Sequence, residues 1–256
     1  MINWNEITTL LFDLDNTLIM FDENEFIPMY GKNIHAYFTE EISSYEEFMK
    51  LFLTSTHAML EKEPEGLTNL EKFAAHFSPK LNLPFEEILK RFLHFYAYQF
   101  DQLAQIISPA PFAQPLLHLV SQHFHVVAAT NPLFPRIATE KRLNWGKIGL
   151  DIIPWLEITV ADAYSTAKPY LTYYEEVLEK INKSPDECAM IGNDRINDMV
   201  AGKLGIKTFF IETNTAPDKI ITTDLDRENP QFPIDDSGTL EDLYLQLKAY
   251  LEKKTN

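Results

Sequence analysis

The chain has 256 residues, 45% of them hydrophobic, so it has material for one large or two modest domains of the usual size of roughly 100 to 150 residues. Its net charge of −16 excludes a broad nucleic-acid-binding or anionic-membrane surface, and no stretch approaches the roughly 18 consecutive apolar residues of a membrane span. The single cysteine, Cys188, excludes an intrachain disulfide; within ECAMIGND it reads as a buried strand residue rather than a nucleophile. The opening MINWNEITTLLFDLD has no basic region ahead of its apolar run, so a cytoplasmic location without a removable leader is the expectation.

The first element is a strand, ITTLLFD, which releases Asp13 and Asp15 one residue apart in LLFDLDNTLI. Alternate side chains of a strand share a face, so the two carboxylates start side by side and each resists ionisation while the other is charged. A hard divalent cation such as Mg²⁺ relieves that conflict and keeps room for a phosphate oxygen. The competing reading is a strand that simply ends in a solvated Asp/Asn turn.

From Met20 to Ile107 the pattern turns helical, with apolar residues three and four apart in FIPMYGKNIHAYF, YEEFMKLFLTSTHAML, LEKFAAHF and FEEILKRFLHFYAYQFDQLAQII. Ser44 with Glu47 and Thr68 with Glu71 have capping-box spacing, and Pro84 suits a first helical turn. The block ends at SPAPFAQP, residues 108–115, whose three prolines mark either a hinge or a rigid turn. Beyond it, HVVAATN, LEITVAD, CAMIGND and KTFFIET read as strands separated by helices, the signature of an α/β protein with a parallel sheet. Residues 213–238 read as a long surface excursion, followed by a final helix with a Thr239/Asp242 start.

In an open parallel sheet the carboxyl ends of the strands converge on the ligand crevice. Thr130 and Asn131 end one such strand and offer a hydroxyl and an amide to a phosphoryl oxygen; Lys168 offers a compact cation, and Asp194 and Asp198 follow another strand end. The ordinary roles of such residues are turn capping for Thr130 and Asn131 and a solvated surface for Lys168. Taken together, DLDNTL (residues 13–18), AATN (128–131), AKP (167–169) and GNDRIND (192–198) resemble the four ordered motifs of the haloacid dehalogenase superfamily of aspartate-dependent phosphohydrolases. The resemblance is to the branch with a helical cap inserted after the first motif.

That resemblance implies a Rossmann-like α/β core built from residues 1–19 and 112–256, with a helical cap over residues 20–111. It implies a Mg²⁺-dependent phosphohydrolase acting on a small phosphate monoester. Asp13 would be the nucleophile, Asp15 the acid and base, and Thr130, Asn131 and Lys168 the phosphoryl-binding groups. Asp13, Asp15, Asp194 and Asp198 would form the metal site. The fourth motif allows two registers: either Asp194 is the ligand with Asp198 supporting it from behind, which is preferred, or Asn193 takes the ligand position. Asn16 stands where the family usually has glycine, and asparagine tolerates the backbone angles such a turn needs.

Asp15 disfavours dehalogenation and phosphonate cleavage, which have no leaving oxygen for this acid to protonate. A phosphomutase or phosphotransferase on the same residues, and a non-catalytic phosphate-responsive signalling protein, remain as alternatives. The cap carries fourteen Asp/Glu and seven Lys/Arg, so it is no basic clamp; a small phosphorylated metabolite is the expected partner, with no nucleic acid and no membrane. Tyr30, Lys32 and His35 either face the crevice or form a wet helix side, the latter reading being preferred. Oligomeric state is open.

Overall fold

A computed structural model describes residues 1–61, 66–213 and 232–255. Strands β1 (Thr9–Phe12), β4 (His125–Ala128), β5 (Trp155–Ile158), β6 (Cys188–Gly192), β7 (Lys207–Ile211) and β8 (Asp236–Gly238) form one sheet in the order β5-β4-β1-β6-β7-β8. Every pairing in it is parallel, with Thr9–Phe12 in register with His125–Ala128 on one side and Cys188–Ile191 on the other. This is the α/β Rossmann-like core.

The alternation of strand side chains sorts the core into two layers. Leu10, Phe12, Val126, Ala128, Ala189 and Ile191 face one side, where α5 (Ala113–Val120), α6 (Arg136–Trp145) and α8 (Leu240–Thr255) pack. Leu11, Val127, Cys188 and Met190 face the other and meet the buried side of α7 (Leu171–Ile181). Cys188 is therefore the strand residue its context predicts, and burial pushes its thiol up to about 12.

Between the short strands β2 (Ile19–Met20) and β3 (Ser108–Pro109) lie α1 (Glu23–His35), α2 (Tyr45–Leu60), α3 (Asn69–Leu81) and α4 (Phe85–Tyr98), then a 3₁₀ segment, Phe100–Ile106. Their shared interior is aromatic, with Phe38, Phe48, Phe77, Phe95 and Phe100 fully buried. The starts differ in quality. Thr68 and Glu71 make a complete capping box, whereas Ser44 accepts only the Glu47 N–H. The two chain connections to this helical segment run side by side: β2 and β3 pair antiparallel, and the Ala110 N–H donates to the Leu18 carbonyl at 2.9 Å.

Three sequence expectations change. Pro84 sits at the N-cap of α4 rather than within its first turn. The long helix expected over residues 85–107 breaks at Gln99, where the buried Phe100 and Leu103 turn in on a tighter 3₁₀ spacing. The excursion over residues 213–238 ends in a strand, β8, whose Asp-Ser-Gly sequence carries no apolar pattern because only its backbone joins the sheet edge. Residues 214–231 of that excursion lie outside the described residues. The Thr239/Asp242 start is present, each residue's side chain accepting from the other's backbone N–H. Among the described residues no helix is long and apolar enough to cross a membrane.

Candidate active site

The carboxyl ends of β1, β4 and β6 open on a single cavity, and the first residue there is Asp13. Its N–H donates to the Ile191 carbonyl at 2.9 Å, which carries the β1–β6 pairing one residue past the strand and fixes where the carboxylate emerges. Asn16 turns the chain with φ 56°, in the left-handed region that the asparagine substitution was expected to allow. Asp15 bridges to Ile19, so the turn that carries the acid pair also leads into β2.

Lys168 joins two motifs. Its Nζ donates to Asp13 Oδ1 at 2.8 Å and to Asp198 Oδ1 at 2.6 Å, and its side chain is only 1% exposed. Burial works against this ammonium, yet the Asp13 and Asp198 carboxylates hold it well above the ordinary lysine range. Burial likewise pushes the Asp198 carboxyl up, with Lys168 opposing. The second Asp198 oxygen accepts the Asp194 N–H at 3.0 Å. Gly192 makes room for this arrangement: a Cβ there would lie 2.1 Å from Asp198 Oδ2.

Thr130 and Asn131 are each tied down through one polar atom, while another is left without a protein partner. The Thr130 carbonyl accepts from the Tyr173 hydroxyl at 2.9 Å, and Asn131 Oδ1 accepts the Lys168 N–H at 3.3 Å. Thr130 Oγ1 and Asn131 Nδ2 remain buried without a protein partner, and both residues line the cavity. Buried polar groups left in this state are costly unless something else satisfies them. An oxyanion at this place would do so.

GNDRIND forms a turn rather than a helix: the Asp198 N–H returns to the Asp194 carbonyl at 3.0 Å, and a 3₁₀ segment starts only at Met199. Asp194 Oδ1 accepts the N–H groups of Ile196 and Asn197 at 2.7 and 2.8 Å, and Oδ2 accepts from Asn197 Nδ2 at 3.1 Å. Asn193 instead accepts from Thr17 Oγ1 at 3.0 Å. Among the described residues, the cavity lining includes Asp13, Asp15, Thr130, Asn131, Lys168, Asp194 and Asp198 but not Asn193. Both carboxylates accept hydrogen bonds at each oxygen, but Asp198 is neutralised by Lys168 whereas the partners of Asp194 are neutral amide groups, so Asp194 is the fourth-motif carboxylate with charge left for a cation.

Among the described residues no three His, Cys, Asp or Glu side chains stand together as a ready-made metal cage. Mg²⁺ does not need one, since it is commonly held by one or two carboxylates together with water and substrate phosphate. The hard oxygen donors of Asp13 and Asp194 on one cavity wall fit that requirement.

Sequence reasoning passed over Arg142. It is buried on α6, where Ala138, Thr139, Arg142 and Leu143 share the inward face, and its guanidinium pairs with the Asp15 carboxylate while lying 4.6 Å from the Phe134 ring centroid. The helical spacing of Arg142 with Ala138 was the available signal. Of the crevice candidates, Tyr30 lines the cavity, Lys32 is exposed, and His35 is buried with Nε2 2.7 Å from the Ile42 carbonyl.

A family model for haloacid dehalogenase-like hydrolases matches residues 7–205, which includes all four motifs. The chain belongs to this family. A comparison with curated proteins finds none that matches. Solved structures share the fold across nearly their full length. A 2-haloacid dehalogenase from Pseudomonas syringae pv. Tomato DC3000 is 16% identical with a TM-score of 0.59, covering 95% of this chain and 99% of its own. A HAD phosphatase from Thermococcus onnurineus is 16% identical with a TM-score of 0.57, covering 94% and 98%. A putative beta-phosphoglucomutase from Thermotoga maritima is 16% identical with a TM-score of 0.54, covering 95% and 99%. At such identities the likeness concerns the fold, and the chemistry rests on the site.

Proposed function

We propose that this haloacid dehalogenase-like hydrolase is a Mg²⁺-dependent phosphatase of small phosphate monoesters. The observation that carries the reading is the pair of unpartnered donors, Thr130 Oγ1 and Asn131 Nδ2, buried in the cavity that also holds Asp13 and Lys168. Together they make a cradle for an oxyanion directly beside a carboxylate nucleophile. Asp15 supplies what dehalogenation does not need, an acid for a leaving oxygen.

The chemistry divides among the chain's own residues. Asp13 has one oxygen held by Lys168, which leaves Oδ2 to attack phosphorus as the bond to the leaving oxygen breaks. Asp15, protonated and turned from Arg142 toward the substrate, gives its proton to that oxygen, then takes one from the water that attacks the aspartyl-phosphate and frees inorganic phosphate, restoring Asp13. Such acid–base help is worth about 10² to 10⁴ in rate. Lys168, Thr130 and Asn131 bind the phosphoryl oxygens, and Asp198 keeps Lys168 aimed. Asp13 and Asp194, with Asp15 lining the same cavity, would hold Mg²⁺, which when bound would supply charge neutralisation on the phosphoryl group. The segment over residues 20–111 acts as a cap that brings α1 and α2 over the reacting end. Cavity size supports a small metabolite as the partner rather than a nucleic acid or membrane.

Phosphate release from a panel of monoesters tests the reading. Turnover with Mg²⁺ that collapses on EDTA treatment is expected; full activity in metal-free buffer, or no release from any ester, would reject it. A mutase would use the same residues, and accumulation of an isomerised sugar phosphate in place of free phosphate would identify one.

A further inference from the structure

The cavity has two ends of opposite character. At the reacting end are the carboxylates, Lys168, Arg142, Thr130 and Asn131 described above. The other end is formed by α1 and α2 and by Leu133 and Phe134, and it is walled by Phe26, Ile27, Tyr30, Met49, Phe52 and Leu53. Among the described lining residues at this end, the polar side chains besides Tyr30 are Glu23 and Thr56. The Tyr30 hydroxyl is spent on Tyr96, 2.6 Å away, and burial holds it well above the ordinary tyrosine range.

We infer that the substrate is a phosphate monoester whose leaving group is uncharged and apolar, seated against the Phe26–Ile27–Tyr30–Met49–Phe52–Leu53 wall. This deepens the phosphatase reading and rests on it. A sugar or nucleoside brings several hydroxyl or ring-nitrogen groups that must trade water for protein partners, and this wall has almost none to offer. A second phosphate or carboxylate on the leaving group would face Glu23, and the cation nearest this end, Arg142 beside Phe134, is already paired with Asp15. An alkyl or ring hydrocarbon, by contrast, gains by leaving water for side chains of its own kind. The cavity volume of about 130 Å³ holds on the order of ten water molecules and is shared with the phosphoryl group, which leaves room for a leaving group of a few carbons to a single ring.

The test uses n-hexyl phosphate against glycerol 3-phosphate and glucose 6-phosphate, with phosphocholine as a cationic arm. All four are esters of primary alcohols and n-hexanol is the weakest acid among them, so leaving-group chemistry alone would not favour n-hexyl phosphate. With Mg²⁺ present, kcat/KM for n-hexyl phosphate should exceed that of each other ester by about tenfold or more, the size several buried methylenes allow. Leu53, 37% exposed at the mouth, tolerates a polar replacement. In the Leu53→Gln protein, KM for n-hexyl phosphate should rise several-fold while inhibition by inorganic phosphate, which reaches only the reacting end, stays unchanged.

Equal or better turnover of glucose 6-phosphate or phosphocholine would overturn the apolar assignment and leave the phosphatase reading standing. If no ester turns over, calorimetric titration of the Asp13→Asn protein with n-hexyl phosphate and glycerol 3-phosphate still reads the wall. Tighter n-hexyl phosphate binding would uphold the assignment apart from the chemistry; equal affinity, or no binding of either, would overturn it.

Discussion

At the residue scale, Asp13 and Asp15 differ in what surrounds them, and that difference separates their roles. Asp13 is anchored by Lys168 with one oxygen free, whereas Asp15 is paired with Arg142 at the opening of β2. Asp13→Asn should abolish phosphoryl transfer with the fold intact. Asp15→Asn should leave phosphorylation possible from an ester with a good leaving group but slow its hydrolysis. Intact-mass spectrometry should therefore find a long-lived phosphoryl adduct in the second variant and none in the first; an adduct mapped elsewhere would overturn both roles. The Asp194 and Asn193 environments make a second expectation. Asp194→Asn should shift the Mg²⁺ activation curve to much higher concentration, and Asn193→Ala, which loses only the Thr17 contact, should shift it little. The reverse order would favour the alternative register. Lys168→Met removes the cation shared by two buried carboxylates and should cost about 3–5 kcal/mol, read from denaturant unfolding at neutral pH. Because the folded lysine value is raised, the stabilisation by Lys168 is complete below the unfolded value of about 10.4 and is lost only as pH climbs through the folded one.

At the element scale, the β6 end shows how little space the site leaves. A Cβ on Gly192 would strike the Asp198 carboxylate, so Gly192→Ala should displace the carboxylate that aims Lys168. Activity should fall sharply while the circular dichroism spectrum stays that of the parent, and a fully active variant would show that Asp198 can move without consequence. The strands leading to this site were legible in sequence because each is a short apolar run ending in polar residues: β1 before Asp13, β4 before Thr130 and β6 before Asn193. Strand β8 was not, since an edge strand reading Asp-Ser-Gly is held by backbone pairing and has no side-chain pattern to read. Arg142 escaped for a related reason. Its partner Asp15 is 127 residues away, and local periodicity reports that a position faces inward but not what it meets there.

At the scale of the whole molecule, the helical segment is joined to the core by one paired ribbon and also docks on it at the start of α3, where the Asn69 and Leu70 N–H groups donate to the Tyr164 and Ala161 carbonyls, each at 2.8 Å. Residues Ile19–Met20 and Ser108–Pro109 carry the chain in and out as a paired ribbon, and the tip of α6 abuts it, Gly146 having no room for a Cβ beside Ile19. The apolar wall belongs largely to α1 and α2, whereas the nucleophile and its cation belong to the sheet, so the complete cavity exists only while the two are apposed. Phosphoryl transfer benefits from excluding bulk water, and substrate entry requires admitting it, a conflict that opening of α1 and α2 away from the strand ends resolves. Rotation about the ribbon would move α1 and α2 away from the strand ends and keep the aromatic interior shared by Phe38, Phe48, Phe77 and Phe95, at the expense of the Asn69 and Leu70 bonds to the core. Hydrogen exchange should then show protection gained at residues 19–30 and 49–56 when Mg²⁺ and a metal-fluoride phosphate mimic are added, with amides inside α3 unchanged. Small-angle scattering should show a smaller radius of gyration in the same state. Identical exchange and identical scattering with and without the mimic would mean that the helices are fixed over the site and that substrate enters through the standing mouth beside Leu53.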